Sequence, residues 1–466
     1  MKKSFSIKRI AKASLPALLL LTQLASMAQE RPKVFGKPVN GINPKNGLIR
    51  CVSAEYDAYQ RETNIKGESR DEFENWMRKK VAETKLQRNA NSTTEIITIP
   101  VVVHVIHNGD NVGSNENIAT AQILSQITVL NQDFRKMAGT PGFNTEEAGA
   151  DIEIEFCLAQ VDPAGNATTG IDRINLNRAS WTSMDQINEE LKPQTIWDPE
   201  QYFNIWVCNL GGQAQNILGY AQFPNTNATP GLGTQNGGPD TDGVVIGYRY
   251  FGSSALYPQG VYTAPYNRGR TATHEVGHAL GLVHIWGDGG SQRDQIIDCN
   301  ATDFCDDTPF AGWDNYECDG VTDTCPDSPG LDMTNNYMDY TDDVCMNTFT
   351  QDQKLRIITV MNNAPRRASL KTSTVCQPLA ASKDFGLLNA ISIYPNPAQA
   401  VLNLNVENGE LPDGYTIYNS LGQTIAAAKI TGSASLSINT SGYSSGIYFI
   451  KVDKGQESKT LKFIKD

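Results

Sequence analysis

Apolar residues are spread unevenly along the 466-residue chain, and changes in their rhythm mark out its parts. Residues 29–92 carry no strand-like apolar run: RPKVFGKPVNGINPKNG is rich in Pro, Gly and Asn, and DEFENWMRKKVAETKLQ predicts one charged, mostly solvated helix. At residue 96 the pattern changes. IITIPVVVHVIHNG is a β-branched run that predicts a strand, and TAQILSQITVLNQDFRKM repeats its apolar positions at helical spacing. IEIEFCLAQV, YFNIWVCNL and GVVIGYRYF predict further strands, so strands and helices mix from 96 to about 284, an α/β pattern. Beyond Ile285 the periodicity fades. A new rhythm starts near 388, where ISIYPNP, VLNLNVE, YTIYNSLGQTI, ASLSINTSG and GIYFIKV are short alternating stretches split by turn residues. That spacing predicts a separate small β-sandwich.

The N-terminus adds a compartment. MKKSFSIKR is basic, LPALLLLTQLA is apolar, and Ser26-Met27-Ala28 forms a small-x-small cleavage box, so residues 1–28 read as a secretory signal peptide. The apolar run falls short of the ~20 residues that span a bilayer, and no other long one occurs, which predicts no stable membrane insertion. Residues 29–92 then read as a propeptide, with polar QRNANSTTE as a processing site, and 93–376 as the main domain. PLAASKDFG supplies a linker over 377–387, ahead of the C-terminal domain at 388–466. A net charge of −12 with no basic patch argues against nucleic acid as a partner.

Export also changes how the nine cysteines read, because an oxidising compartment favours disulfides. Nine is odd, and Cys51 is the one that stands apart, far upstream in a segment of different composition. The other eight allow on the order of a hundred connectivities. Those between 299 and 345 are expected to pair locally, with Cys318–Cys345 the first choice. From Asp288 to Cys345 the chain holds fourteen Asp and one Glu against a single Arg, with five of the cysteines. Such a stretch buries little apolar surface, so disulfides and a hard cation would have to hold it.

Three of the five histidines stand in THEVGHALGLVHIWGD, at 274, 278 and 284. The first two are four apart and project from one face of a helix. Gly281 can turn the chain sharply and return His284 as a third nitrogen ligand. Three neutral imidazoles suit Zn2+ and leave its fourth position for water. Glu275, beside a ligand, would take a proton from that water and pass it to a leaving amine, which is the chemistry of peptide hydrolysis. His104 and His107 lie three apart in a predicted strand, on opposite faces, and read as structural.

HExxHxxGxxH fixes five positions and resembles the metzincin metallopeptidases; HIWGD resembles their pappalysin (cytophagalysin-like) family. NYMDY at 336–340 resembles that family's Met-turn. The resemblance covers roughly residues 96–376 and implies a metzincin catalytic domain with a twisted mixed sheet, an active-site helix and an irregular lower subdomain. It implies an apolar floor for the metal at Met338 and a tyrosine, Tyr340, that stabilises the tetrahedral intermediate. CDDTPFAG resembles the family's calcium-binding segment and implies Ca2+ ligands at Asp307 and Thr308, with Asp303 and Asp306 as further choices. Asp343 would line the pocket for the residue after the scissile bond and favour Arg or Lys there. NGLIRC resembles the family's propeptide cysteine, which implies that Cys51 holds the enzyme latent by occupying the open zinc position; a disulfide is the other reading of Cys51. The tail from Ile391, with YPNP, NSLGQ and SGIYFIKV, resembles the sorting domain of type IX secretion, which implies passage across the outer membrane; an adhesive or carbohydrate-binding sandwich is the rival reading. The expectation is a secreted zinc endopeptidase acting on protein and peptide substrates and made as a zymogen. The alternatives are a catalytically silent secreted binding or adhesion protein on the same fold and a zinc hydrolase for a non-peptide amide.

Overall fold

The computed structural model describes residues 31–63, 68–90, 96–226, 237–377, 391–406, 412–430, 435–455 and 457–466. The signal-peptide expectation at 1–28 and nearly all of the expected linker lie outside them. The chain divides into two compact units, residues 1–377 and 378–466.

The first unit is built on a six-stranded sheet in the order β4-β3-β6-β8-β7, with β5 also pairing β3. Its strands are β3 (Ile97–His107), β4 (Ile154–Leu158), β5 (Ile171–Asn175), β6 (Phe203–Cys208), β7 (Gly219–Ala221) and β8 (Val244–Gly247). All pair in parallel except the short edge strand β7, which runs antiparallel to β8. The β-branched run of β3 is central because both its faces are covered. Val101, Val103 and Val105 pack with Ile123, Ile127, Leu130 and Phe134, the helical-spaced face of α3 (Thr120–Phe134). Helix α4 (Arg270–Ala279) lies on that same side. Ile106, Trp206, Cys208, Tyr220 and Val245 point the other way, as strand alternation requires.

That second face is covered by residues before β3 and by Trp181, Met184, Ile187, Leu191, Leu210, Ala214 and Ile217. Val34, Phe35, Val39, Ile42, Ile49, Val52 and Tyr56 pack there, from the small hairpin β1 (Lys33–Val34) and β2 (Lys37–Pro38), the loop that follows it and α1 (Ser53–Thr63). The sequence predicted a single helix in this region; the structure has two. Helix α2 (Arg70–Ala90) is also less solvated than predicted. Its Phe73 and Met77 pack on Val360 and Ala364, alongside α5 (Gln351–Asn363). Glu74 forms a bidentate pair with Arg356 at 2.9 and 3.0 Å, and Arg356 also donates to the Gly281 carbonyl at 3.1 Å. Sequence reading also passed over β5 and β7, one too polar and the other too short to show a rhythm.

Three disulfides close the unit: Cys157–Cys376, Cys299–Cys325 and the expected Cys318–Cys345. The expectation that all eight cysteines outside Cys51 pair is corrected. Cys208 and Cys305 are buried thiols, the first inside the sheet's second face and the second beneath the Asp303 loop.

The second unit is two antiparallel sheets: one holds Ser435–Asn439, Val401–Val406 and Ile391–Tyr394 in that order, the other Thr424–Lys429, Gly414–Asn419, Gly446–Lys454 and Glu457–Lys465. Leu402, Leu404, Ile417, Ile450, Val452 and Phe463 form its core, which matches the predicted sandwich.

Glu74→Ala would leave the buried Arg356 guanidinium without its carboxylate, a loss of about 3–5 kcal/mol. The denaturant midpoint of the full-length protein, measured in a Glu275→Ala background to prevent self-cleavage, should fall accordingly. An unchanged midpoint would mean that the Glu74–Arg356 pair adds nothing to stability.

Candidate active site

Every residue of α4 is buried. Its first turn is fastened by Asp343, whose Oδ2 accepts the backbone N–H groups of Arg268 at 2.8 Å and Arg270 at 3.2 Å. Asp133 on α3 accepts from the Arg270 guanidinium at 2.9 Å and the Thr273 hydroxyl at 2.7 Å. The helix ends at Ala279, and Gly281, at φ +93°, makes the predicted turn. His284 therefore returns to face His274 and His278.

The three Nε2 atoms lie 3.0–3.2 Å apart. Each Nδ1 faces an acceptor: the Tyr337 carbonyl at 2.7 Å, the Leu282 carbonyl at 2.9 Å, and for His284 the Asp288 carboxylate. The protons therefore sit on Nδ1, and three bare lone pairs point at one another. Burial, reinforced by the neighbouring rings, holds His274 and His278 well below the usual imidazole range. Neutral nitrogens so close cannot bond one another; the arrangement fits a cation at their centre, and three imidazoles suit zinc. Cys51 Sγ completes the group, its ligand atom lying within 4.8 Å of all three. His104 and His107 are not in it: His104 is spent on Asp172 and Asn204, at 3.0 and 2.9 Å, and the His107 ring accepts from the Gly109 amide at 3.1 Å.

Glu275 Oε2 accepts from the Ser53 hydroxyl at 2.7 Å and the Cys51 thiol at 3.3 Å, while Oε1 is buried without a partner. Burial pushes its pKa up to about 8. Met338 packs under the helix, where a Cβ on Gly277 would stand 2.5 Å from its sulfur. Glycine at this position is what lets the floor approach. The Tyr340 ring lies 4.8 Å from His284, and its hydroxyl donates to the Cys51 carbonyl at 3.3 Å.

Asp343 is fully buried and its Oδ1 meets Arg50 at 3.1 Å. Sequence reading missed three participants. Asp288 closes the quoted HIWGD, four residues after His284, and its spacing was the available signal. Arg50 directly precedes Cys51 in the quoted NGLIRC. Ser53, in an otherwise polar run, gave no signal. Of the expected calcium residues, Thr308 donates to both Asp303 oxygens at 2.9 Å. Asp307 instead accepts from the Thr350 hydroxyl at 2.6 Å and the Asp352 amide at 3.0 Å, at the start of α5. Among the described residues no second group of three or more His, Cys, Asp or Glu ligand atoms converges as the zinc-site group does.

Fold and site together define a zinc metalloprotease. Residues 185–362 match the family model described as pregnancy-associated plasma protein-A, the peptidase family M43. An extracellular metalloprotease of Arthroderma benhamiae is 31% identical over 56% of this chain and 76% of its own length; that of Arthroderma otae is 29% identical over the same shares. Among solved structures, mature mirolysin of Tannerella forsythia with a cleaved peptide is 41% identical, covering 60% of this chain and 97% of that one, with TM-score 0.51. A Tannerella forsythia promirolysin mutant is 37% identical over 69% and 97%, with TM-score 0.52. The chain belongs to the pappalysin metallopeptidases, the family of that model. Residues 392–466 match the secretion system C-terminal sorting domain, so the tail is a type IX sorting domain and the protease is extracellular or held at the cell surface. Among the described residues no helix is long and apolar enough to cross a membrane.

His284→Ala should lower zinc content well below one ion per chain, read by elemental analysis of the purified protein. Full retention would remove His284 from the ligand set.

Proposed function

We propose that the chain is a latent zinc endopeptidase cutting before Arg or Lys, with residues 29–92 as its propeptide, His274, His278 and His284 as zinc ligands and Cys51 as the latency switch. The observation that carries this reading is the pair Arg50-Cys51. Cys51 stands among the three histidines while the neighbouring Arg50 enters the Asp343 pocket. There Arg50 also donates to the Thr341 carbonyl at 3.0 Å and lies 5.0 Å from the Tyr266 ring centroid. A basic side chain already fits the pocket that the substrate residue would use, and Asp343 supplies the matching charge. The order is also informative. In a substrate the residue at the zinc precedes the residue in the Asp343 pocket; here Arg50 precedes Cys51, so the propeptide runs backwards. Its pairing beside the edge strand agrees, because Ile49 bridges Ile217 in parallel and the Val52 amide donates to the Gly219 carbonyl at 3.4 Å. A reversed strand presents no scissile bond to the site.

When bound, zinc supplies Lewis acidity to the scissile carbonyl and to water. Departure of the propeptide removes Ser53 and Cys51 from Glu275. The carboxylate then accepts a proton from the attacking water and delivers it to the amine nitrogen as the C–N bond breaks. While Ser53 and Cys51 cover it, burial holds this carboxyl near 8. The Tyr340 hydroxyl, freed from the Cys51 carbonyl, donates to the oxyanion. The reading includes calcium in the acidic segment, with Asp307 and Thr308 as first choices and Asp303 and Asp306 as further ones; Thr308 and Asp303 are in contact, while Asp307 is turned to the start of α5. Burial holds the Asp303 carboxyl near 7, a cost that a bound cation would relieve.

Casein digestion by the activated protein should be lost in Glu275→Ala; digestion that survives would remove Glu275 as base, and a wild type without digestion would favour a silent scaffold. Cys51→Ala should cleave itself prematurely, and a variant as latent as wild type would discard the switch. In a peptide library read by mass spectrometry, cuts should fall before Arg and Lys, and Asp343→Ala should erase that preference. Equal cutting before Leu would rule the pocket assignment out.

A further inference from the structure

One propeptide side chain occupies a built pocket that neither latency nor catalysis uses. Tyr56 on α1 is fully buried. One wall of its pocket is another propeptide residue, Phe35, stacked at 4.7 Å. The other walls belong to the catalytic domain. Tyr220 meets the ring edge-on at 5.2 Å, and the Tyr56 hydroxyl donates to Gln222 Oε1 at 3.5 Å. The Lys192 ammonium lies 5.2 Å from the Tyr56 ring centroid, 4.5 Å from that of Tyr220 and 5.3 Å from that of Trp206. It is fully buried and donates to the Thr241 carbonyl at 3.2 Å. The nearby Asp242 carboxylate is itself paired with Arg367, at 2.7 Å. A buried cation is thus caged mainly by aromatic rings, one of which leaves with the propeptide.

The pocket lies directly behind edge strand β7. A Cβ on Gly219 would stand 3.1 Å from Glu275 Cγ, and the Ala221 amide donates to Ser53 Oγ at 2.8 Å, so these two positions face the zinc site. Tyr220 and Gln222 alternate to the opposite side. A substrate strand laid along β7 would alternate likewise, sending every second side chain away from the zinc and toward Tyr220. Arg50 marks the Asp343 side of Cys51, and Tyr56 lies on the other side. The pocket therefore serves residues that precede the scissile bond.

The geometry points to a second specificity subsite in the activated enzyme, formed by Lys192, Trp206, Tyr220 and Gln222, that takes an aromatic substrate side chain, tyrosine first, from a position before the scissile bond. This rests on the protease reading above. Removal of Tyr56 leaves the ammonium with one fewer ring around it, and an incoming ring restores that contact. The tyrosine hydroxyl has Gln222 as its acceptor.

The test uses enzyme activated from the full chain, with loss of the propeptide checked by intact mass. Peptides keep Arg after the scissile bond, while Tyr, Phe, Leu, Glu and Ala are walked through the four positions before it. At one position kcat/KM for Tyr should exceed that for Leu by roughly 3- to 30-fold. Lys192→Met should bring that ratio close to one, Lys192→Arg should keep most of it, and Gln222→Leu should reduce Tyr to the level of Phe. Should Lys192→Met fail to fold, the Gln222→Leu comparison still decides. Equal rates for Tyr and Leu at every position, or Glu preferred over both, overturn the subsite. If wild type cuts before Arg without aromatic preference, the subsite alone is wrong; if it cuts none of the peptides, the protease reading has failed with it.

Discussion

The structure depends on three imidazole nitrogens that face one another with no proton between them. Each ring is locked into one tautomer by an acceptor from a different part of the chain: the Tyr337 carbonyl before the Met-turn residue, the Leu282 carbonyl in the turn after α4, and the Asp288 carboxylate in the following loop. Buried lone pairs at such spacing repel, and only a shared cation makes the geometry favourable. Much of the surrounding architecture serves to keep them there, from the fully buried helix to the left-handed turn at Gly281 and the sulfur admitted by Gly277.

Residues before β3 take hold of that helix at both ends. Arg50 reaches Asp343, whose second oxygen caps the amides that open α4. Glu74 reaches Arg356, whose guanidinium also binds the carbonyl of Gly281 just past the helix end. Cys51 and Ser53 sit between them, on the chemistry itself. Because Asp343 is tied to the helix carrying His274 and His278, its distance from the three imidazoles is set by one rigid element.

Where sequence rhythm was strong, it was legible. β3, α3 and the histidine stretch each carry a pattern that survives in a single sequence, and a four-residue spacing on a helix has few other uses when Glu275 lies between. Edge strand β7 was not legible, because three residues, Gly219–Ala221, show no alternation. Helix α1 was not legible either: SAEYDAYQRET buries one face through Tyr56 and Gln60 rather than through aliphatic side chains. The solvated reading of α2 failed for a related reason. Glu74 and Arg356 are 282 residues apart, and a charge that finds a buried partner at that range looks in sequence like any surface charge. Cys208 and Cys305 show the same limit, since pairing depends on neighbours in space.

The acidic stretch shows how an irregular segment can still aim side chains. Its composition suggested a cation site, yet many of the carboxylates accept from backbone amides close by in the chain. Asp332 accepts from the Thr324 amide at 2.9 Å, Asp319 from the Val321 and Thr322 amides at 3.1 Å, and Asp323 from the Cys325 amide at 3.1 Å. These bonds replace the ladder that a strand would have provided, and two disulfides, Cys299–Cys325 and Cys318–Cys345, close the loops they shape. The chain reaches the site in the same way. Asn336 accepts the Met338 amide at 2.9 Å, and Asp339 accepts the amides of Asn315 at 2.9 Å and Tyr340 at 2.8 Å. Side-chain acceptors thus set the backbone on either side of the Met-turn, so the sulfur beneath the histidines and the hydroxyl beside them are positioned without a helix or strand. The acids that look like surplus charge in the sequence do the positioning that regular structure does elsewhere in the molecule.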